Sequence, residues 1–220
     1  MSPSVDAASN AAVTARSVTV TRGTVQALRA TTFALAPGRC LAVTGPNGSG
    51  KTTLLALVSG HADPTTGEVE VLGVPAVRAR RRHARDLSVL TGGFAYYPDL
   101  TVAEHLQLIA ASWPTQDLRT SVEDALTAAG LLVVRDQLPE ELSSGESQMF
   151  ALACATMRPA RVLVLDEPEQ RLDATRRAQC IAVLSRVKHD GCAIVMATHS
   201  EQLREALADQ TLTLQARDDA

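Results

Sequence analysis

Two hydrophobic periods alternate along the chain. Ser17-Val18-Thr19-Val20-Thr21 repeats every second residue and is β-branched, so it predicts a strand. Ala27 to Leu35 predicts a second strand, followed by the Pro37-Gly38 turn signal. Cys40 to Thr44 is a short apolar run, the pattern of a strand buried on both faces. A glycine-rich break over 45–50 follows, and Lys51 to Ser59 reads as a helix. Gly67 to Gly73 alternates again, Val77 to Arg85 is basic and helical, and Leu87 to Leu90 is another buried-strand candidate. From about Asp99 to Ala155 the spacing turns helical, with Thr101 and Glu104 placed as a capping box. Val122 to Ala129 and Glu146 to Met157 share that helical spacing. Arg161 to Leu165 is an apolar strand ending in Asp166-Glu167-Pro168. Ala174 to Lys188 reads as a helix, Ala193 to Ala197 as a buried strand, Glu201 to Leu207 as a short helix and Thr211 to Gln215 as a last strand.

Strands that alternate with helices predict a parallel sheet covered on both faces, hence an α/β fold. The helical block in the middle reads as an insertion into that sheet. Residues 1 to about 15 are rich in Ala, Ser and Asn without periodicity, and are expected to form a disordered leader before a domain over 16–220.

The 220 residues suit one domain carrying an inserted subdomain. Aromatics are only 3% of the chain, so Leu, Val, Ile and Ala must build the core. The apolar runs are too short to cross a bilayer, and neither a basic n-region nor a signal-type h-region opens the sequence. The net charge of −3 argues against a dedicated nucleic-acid binder. Cys40, Cys154, Cys180 and Cys192 are scattered without a C-x-x-C pair, as expected of buried free thiols rather than a disulfide framework or zinc site.

The chemistry concentrates at the glycine-rich break. Gly45-Pro46-Asn47-Gly48-Ser49-Gly50-Lys51-Thr52 fits G-x-x-x-x-G-K-[ST], between a buried strand and a helix. Glycines let the backbone curl so that successive N–H groups point at phosphate oxygens, and the helix N-terminus adds partial positive charge. Lys51 supplies a full charge to the β- and γ-phosphates, Thr52 offers a hydroxyl to Mg²⁺, and Thr53 stands beside it. A second half is expected at the end of another buried strand. Asp166 suits a Mg²⁺ site, and Glu167 suits a general base for an attacking water. Two adjacent carboxylates after an apolar strand favour a cation nearby.

In this order the motifs resemble the nucleotide-binding subunit of an ABC transporter, over nearly all the chain from residue 16. Leu142-Ser143-Ser144-Gly145-Glu146-Ser147-Gln148 resembles the signature LSGGQ. Asp173 resembles the D-loop aspartate and His199 the switch histidine. Tyr97 to Val102 resembles the segment after the Q-loop in bacterial exporter-type members. The resemblance implies a P-loop NTPase with a RecA-like core, an antiparallel β-subdomain and a helical signature-motif subdomain at about 94–155. It implies ATP and Mg²⁺ as cofactors and a Mg²⁺-dependent ATPase in which Lys51, Glu167 and His199 are catalytic. It also implies two partners: a second nucleotide-binding subunit, paired head to tail, and a separate transmembrane permease. In that pair, Ser143 and the backbone near Gly145 would touch the partner's γ-phosphate. The expected location is the cytoplasmic face of the cell membrane, with no nucleic-acid partner and with export as the direction.

Four positions depart from the family. Arg22 falls at the adenine-stacking aromatic, where a guanidinium can stack on a base. Gly92 falls at the Q-loop glutamine and has no side chain to reach Mg²⁺ or water. Ser144 replaces a signature glycine, and Arg171 the usual D-loop glycine. These departures keep open an ATP-gated regulatory or weakly hydrolysing subunit. A soluble non-transport ABC ATPase is the other alternative. The basic stretch Val77–Arg85 reads as a solvated helix face, and Trp113 as a packing or partner-facing residue.

Overall fold

A computed structural model describes residues 10–113 and 121–216. Its parallel sheet has five strands in the order β6-β7-β8-β3-β9: β6 (Leu87–Leu90), β7 (Val162–Asp166), β8 (Ala193–Ala197), β3 (Cys40–Thr44) and β9 (Gln210–Thr213). Every neighbouring pair runs parallel. A second, antiparallel sheet has the order β2-β1-β4-β5, from β1 (Val13–Arg22), β2 (Val25–Leu35), β4 (Thr66–Val71) and β5 (Val74–Pro75). The fold is the expected α/β one, a RecA-like core with antiparallel and parallel sheets and flanking helices.

Strand parity splits the core in two. Val162, Val164, Val195 and Leu41 face the layer shared with the antiparallel sheet, α1 (Lys51–Val58) and α2 (Ala76–Arg82). Leu163, Leu165, Ile194 and Met196 face the other side. That side packs against α3 (Val102–Ala111), α4 (Val122–Ala128), α5 (Ser144–Met157), α6 (Ala174–His189) and α7 (Glu201–Leu207). Continuous apolar runs in β3, β7 and β8 follow directly, because each of these strands is buried on both faces.

The middle block is helical as its spacing predicts. Thr101 accepts from the Glu104 N–H at 3.2 Å, and Glu104 reaches back to the Thr101 N–H at 2.8 Å. That reciprocal pair starts α3. Phe150 of α5 packs edge-on against Phe94 and His105, with ring centroids 5.3 and 5.2 Å apart. His105 Nε2 accepts from the Tyr97 N–H at 2.9 Å, which leaves Nδ1 to donate to the Thr101 carbonyl at 2.8 Å. These contacts fasten the 94–101 loop to the helical block.

One boundary is corrected. Val13, Thr14 and Ala15 belong to β1, not to the leader. They pair with Leu35, Ala34 and Phe33 of β2, and all three are buried. A short Ala- and Thr-containing segment hid a strand whose stabilisation comes from two flanking strands rather than from propensity. Residues 1–9 of that leader lie outside the described residues. Two-residue β5 was not foreseen.

All four cysteines are buried thiols outside any disulfide among the described residues. Burial pushes the Cys40 and Cys180 thiols up to about 12, and the Cys154 thiol higher still, so they are inert packing groups. No helix among the described residues is long and apolar enough to cross a membrane.

Leu163 is 1% exposed at the centre of β7. Leu163→Ala is expected to destabilise the protein by about 2–5 kcal/mol, from lost transfer energy plus the cavity left behind. Urea unfolding measures this, and a cost under about 1 kcal/mol would contradict the assignment of β7 as the packed centre.

Candidate nucleotide site

Parallel register brings three strand ends to one edge of the sheet. Asp166 of β7 pairs with Ala197 of β8, and Ala197 pairs with Val43 of β3. The chain leaving each strand therefore emerges at the same place: the 45–50 loop after β3, Glu167 after β7, and Thr198-His199 after β8. Ligands of open α/β sheets bind at this carboxyl edge.

The 45–50 loop curls because glycine permits it. Gly45 has φ 140°, and a Cβ there would lie 2.4 Å from the Leu214 carbonyl oxygen. Gly50, at the N-cap of α1, has φ 101°, and its Cβ would lie 2.6 Å from the Ala27 carbonyl oxygen. Lys51 is buried and donates to the Gly45 and Pro46 carbonyl oxygens at 2.8 and 3.2 Å. No carboxylate within ion-pairing distance neutralises it among the described ion pairs, so its charge is directed at the loop. Ser49 Oγ is buried in the same loop without a hydrogen-bond partner. A curled backbone, an uncompensated ammonium, a helix N-terminus and a spare buried hydroxyl suit a phosphate group.

Thr52 Oγ1 donates to Asp166 Oδ2 at 3.2 Å, joining the loop to the β7 end. Hydroxyl and carboxylate oxygens side by side are donors of the type Mg²⁺ takes, with phosphate and water completing its shell. Glu167 follows with φ 48°, a left-handed conformation costly for a residue with a Cβ, held by its N–H donating to the Ala197 carbonyl at 2.9 Å. Its Oε1 lies 3.2 Å from His199 Nε2, and its Oε2 accepts from Gln170 Nε2 at 3.3 Å. The two catalytic candidates, 32 positions apart in sequence by subtraction of their numbers, thus touch.

A cleft of about 700 Å³ opens on these groups. Asn47, Gly48, Gly50, Lys51, Thr52, Thr53, Asp166 and Glu167 line it, together with Gly92, Gly93, Phe94 and Tyr96 from the chain that follows β6. That volume fits a mononucleotide-sized ligand. Arg22 stands at the exposed end of β1 and is not among the lining residues.

The signature stretch starts α5 as a capped helix. Ser143 is its N-cap, and Ser143 Oγ and Glu146 form a reciprocal box, with the Ser143 N–H donating to Glu146 Oε2 at 2.9 Å. Arg176 of α6 pairs with Glu146 at 2.9 Å. Ser143 and Gly145 do not line the cleft of their own subunit, whereas Ser144, Ser147 and Gln148 do. Gln148 Nε2 donates to the Pro168 carbonyl at 3.1 Å, tying α5 to the turn after β7. Asp173 is the N-cap of α6, accepting from the Arg176 N–H at 2.8 Å.

Three of the departures acquire physical content. Ser144 is the first residue of α5 with no positive φ, so a serine sits there unstrained. Arg171 has φ 64°, the conformation that glycine adopts freely. Gly92 has φ 75° with open space around it, so this backbone suits glycine better than a glutamine. Two neighbours of Glu167 escaped the sequence reading: Glu169, bonded to the turn that bears His199, and Gln170. Their only sequence signal is polarity beside an acidic strand end. Away from the cleft, the Arg85 guanidinium lies over the Trp113 ring, 5.2 Å from its centroid.

A family model described as ABC transporter matches residues 28–170. The thiamine import ATP-binding protein ThiQ of Rhizobium meliloti is 38% identical over 185 residues, 80% of this chain and 75% of that protein. A putative ABC transporter ATP-binding protein of Pyrococcus abyssi is 34% identical over 184 residues, covering 80% of this chain and 70% of its own length. The spermidine/putrescine import ATP-binding protein PotA of Acidothermus cellulolyticus is 32% identical over 88% of this chain, which spans about half, 51%, of that relative. Among solved structures, an ATP-binding subunit of an ABC transporter superposes with a TM-score of 0.79 at 22% identity, covering 93% of this chain and 87% of that one. A dimeric ATP-binding cassette in a post-hydrolysis state with ADP and Pi gives 0.78 at 22% identity, covering 93% and 96%. Those two structures share the fold. The chain belongs to the ABC transporter family, as an ATP-binding domain.

The Ser143–Glu146 box has a pH signature. Hydrogen bonds from the Ser143 side chain and backbone hold the Glu146 carboxyl below the usual carboxylate range, with Arg176 adding a smaller pull. A depressed folded value stabilises above the unfolded pKa and is lost as pH falls through the folded one. Ser143→Ala is therefore expected to cost about 0.5–2 kcal/mol near neutral pH, and less once pH drops below about 4. Urea melts of both forms at the two pH values measure this; a difference independent of pH would contradict it.

Proposed function

We propose that this chain binds and hydrolyses ATP with Mg²⁺ and powers transport through a separate transmembrane permease. The single observation that carries the reading is the meeting of Lys51, Thr52, Asp166, Glu167 and His199 at one sheet edge.

In this reading the domain starts with β1 at Val13 rather than at 16 and continues to 220, with the helical subdomain at about 94–155 inserted. Gly45 to Gly50 wrap the phosphates with backbone N–H groups, Lys51 takes β- and γ-oxygens, and Thr53 extends the first turn of α1 beneath them. Arg22 stacks on the base from the end of β1. Thr52 and Asp166 would hold Mg²⁺, which would supply charge neutralisation at the transferring phosphoryl group. Glu167 orients a water and takes its proton, and His199 holds the γ-phosphate against that water. The bond between Glu167 and His199 keeps both groups aimed at the same point.

Ser143 and Gly145 complete the site of a second nucleotide-binding subunit paired head to tail. Two facts support that placement: both residues lie outside their own subunit's cleft, and they begin a helix whose N-terminus favours an anion. Ser143 must then exchange its bond to Glu146 for one to phosphate. The subunit works at the cytoplasmic face of the membrane, held there by the permease. The Tyr97–Val102 segment supports export, while several relatives are named as import proteins. Transport is the common statement, and uptake or efflux in vesicles bearing the co-purified permease decides its direction.

A regulatory subunit that binds ATP and barely turns over is the second reading, favoured by Gly92 in the cleft wall. Mg²⁺-dependent turnover of the wild type beside Glu167→Gln separates the two. The hydrolytic reading expects the variant to lose at least about 100-fold in kcat, as removal of a general base does. It also expects ATP-dependent dimers to accumulate in the variant. ATP binding without turnover in the wild type, with or without the permease, would contradict it.

A further inference from the structure

Glu169 and Gln170 have no role in the mechanism above, yet they touch both members of its central pair. Glu169 Oε1 accepts three hydrogen bonds from one turn: from Thr198 Oγ1, from the His199 N–H at 3.1 Å and from the Ser200 N–H at 3.1 Å. The same turn is closed by the Ser200 N–H donating to Thr198 Oγ1 at 3.0 Å. Ser200 then caps α7, accepting from the Leu203 N–H at 3.3 Å. Beyond the Thr198 N–H bond to the Val43 carbonyl at 3.2 Å, one carboxylate oxygen therefore fixes the backbone on which His199 stands. The imidazole itself is half exposed.

Gln170 acts on the other partner. Its N–H donates to the Glu167 carbonyl at 3.0 Å, closing the tight turn after β7. Its side-chain amide returns to Glu167 Oε2 at 3.3 Å, while His199 Nε2 lies 3.2 Å from Oε1. The Glu167 carboxylate is thus held between two nitrogens, one on each oxygen. A long acidic side chain that is partly exposed otherwise samples several rotamers. Gly92 and Gly93, which also line the cleft, bring no side chain that could hold it.

We propose that Glu169 and Gln170 are positioning residues for the Glu167–His199 pair, Glu169 through the backbone of the histidine turn and Gln170 through the carboxylate itself. The inference rests on the reading of Glu167 and His199 as the hydrolytic pair. A misplacement of about 1 Å at such a pair costs about 100-fold in rate. Neither residue belongs to the phosphate loop; Gln170 lines the cleft beside Glu167 and Glu169 does not, so ATP binding is expected to be independent of Glu169.

Steady-state ATP turnover and amide hydrogen exchange of the intact chain test this. Glu169→Ala is expected to lower kcat by about 10- to 100-fold with KM for ATP unchanged. Glu169→Gln keeps an acceptor oxygen and is expected to stay within about threefold of wild type. Gln170→Ala, at an exposed position, is expected to lower kcat by about 3- to 10-fold. Without nucleotide, exchange at the His199 and Ser200 amides is expected to rise at least about tenfold in Glu169→Ala but not in Glu169→Gln. Exchange at Ile194 and Val195 of β8 should stay constant in all forms, which excludes general loosening. Should Glu169→Ala fail to fold, Glu169→Thr, with its shorter reach, carries the same comparison. Wild-type kcat in Glu169→Ala or unchanged exchange at its two amides overturns the role of Glu169, and wild-type kcat in Gln170→Ala overturns that of Gln170. Glu167→Gln is the control. If it turns over like the wild type, the hydrolytic reading itself fails; if it is inactive while both positioning variants run normally, only this proposal fails.

Discussion

The register of three neighbouring parallel strands is the constraint on which the rest depends. Val43, Ala197 and Asp166 stand side by side across β3, β8 and β7. Because parallel strands all point the same way, the segments that leave them share one edge. A one-residue slip in β7 would turn Leu163 and Leu165 toward the wrong layer and move Asp166 out of line with Thr52. The two apolar cores that flank the sheet therefore hold the strands and align the chemistry at once.

Electrostatics at that edge is unbalanced in a way that calls for a ligand. Among the described residues, buried Lys51 has carbonyl oxygens for partners and Ser49 Oγ has none. Asp166 and Glu167 stand next to each other in sequence, one bonded to Thr52 and one to His199. A phosphate–Mg²⁺ pair would meet both requirements, with anionic oxygens for the Lys51 ammonium and a cation for the Asp166 carboxylate. Strain is stored in the same place, at Glu167 with its positive φ. Arg171, with φ 64°, lines the same cleft, whereas Ser17 and Leu72 carry positive φ in the antiparallel sheet; α3, α5 and α6 carry ordinary caps at Thr101, Ser143 and Asp173.

The fold was largely legible because its signals are strong and local. Apolar runs located β3, β6, β7 and β8, and the 45–52 motif placed the phosphate loop between strand and helix as found. What escaped was decided by tertiary contact. Val13 to Ala15 form strand only because β2 and β4 flank them. The Glu146–Arg176 pair joins residues 30 positions apart, and the bonds from Glu169 to the histidine turn span 29 to 31. No periodicity predicts such contacts. Arg171 illustrates the converse: its departure from glycine was visible in sequence, but only its φ of 64° shows why glycine is the easier residue there.

The central claim is that this edge binds ATP through the charge of Lys51. Calorimetric titration of ATP into the wild type and Lys51→Ala tests it most directly. The account predicts saturable binding by the wild type and an affinity at least about tenfold weaker in the variant, from loss of a charge-assisted bond. Equal affinity in the two forms would contradict it.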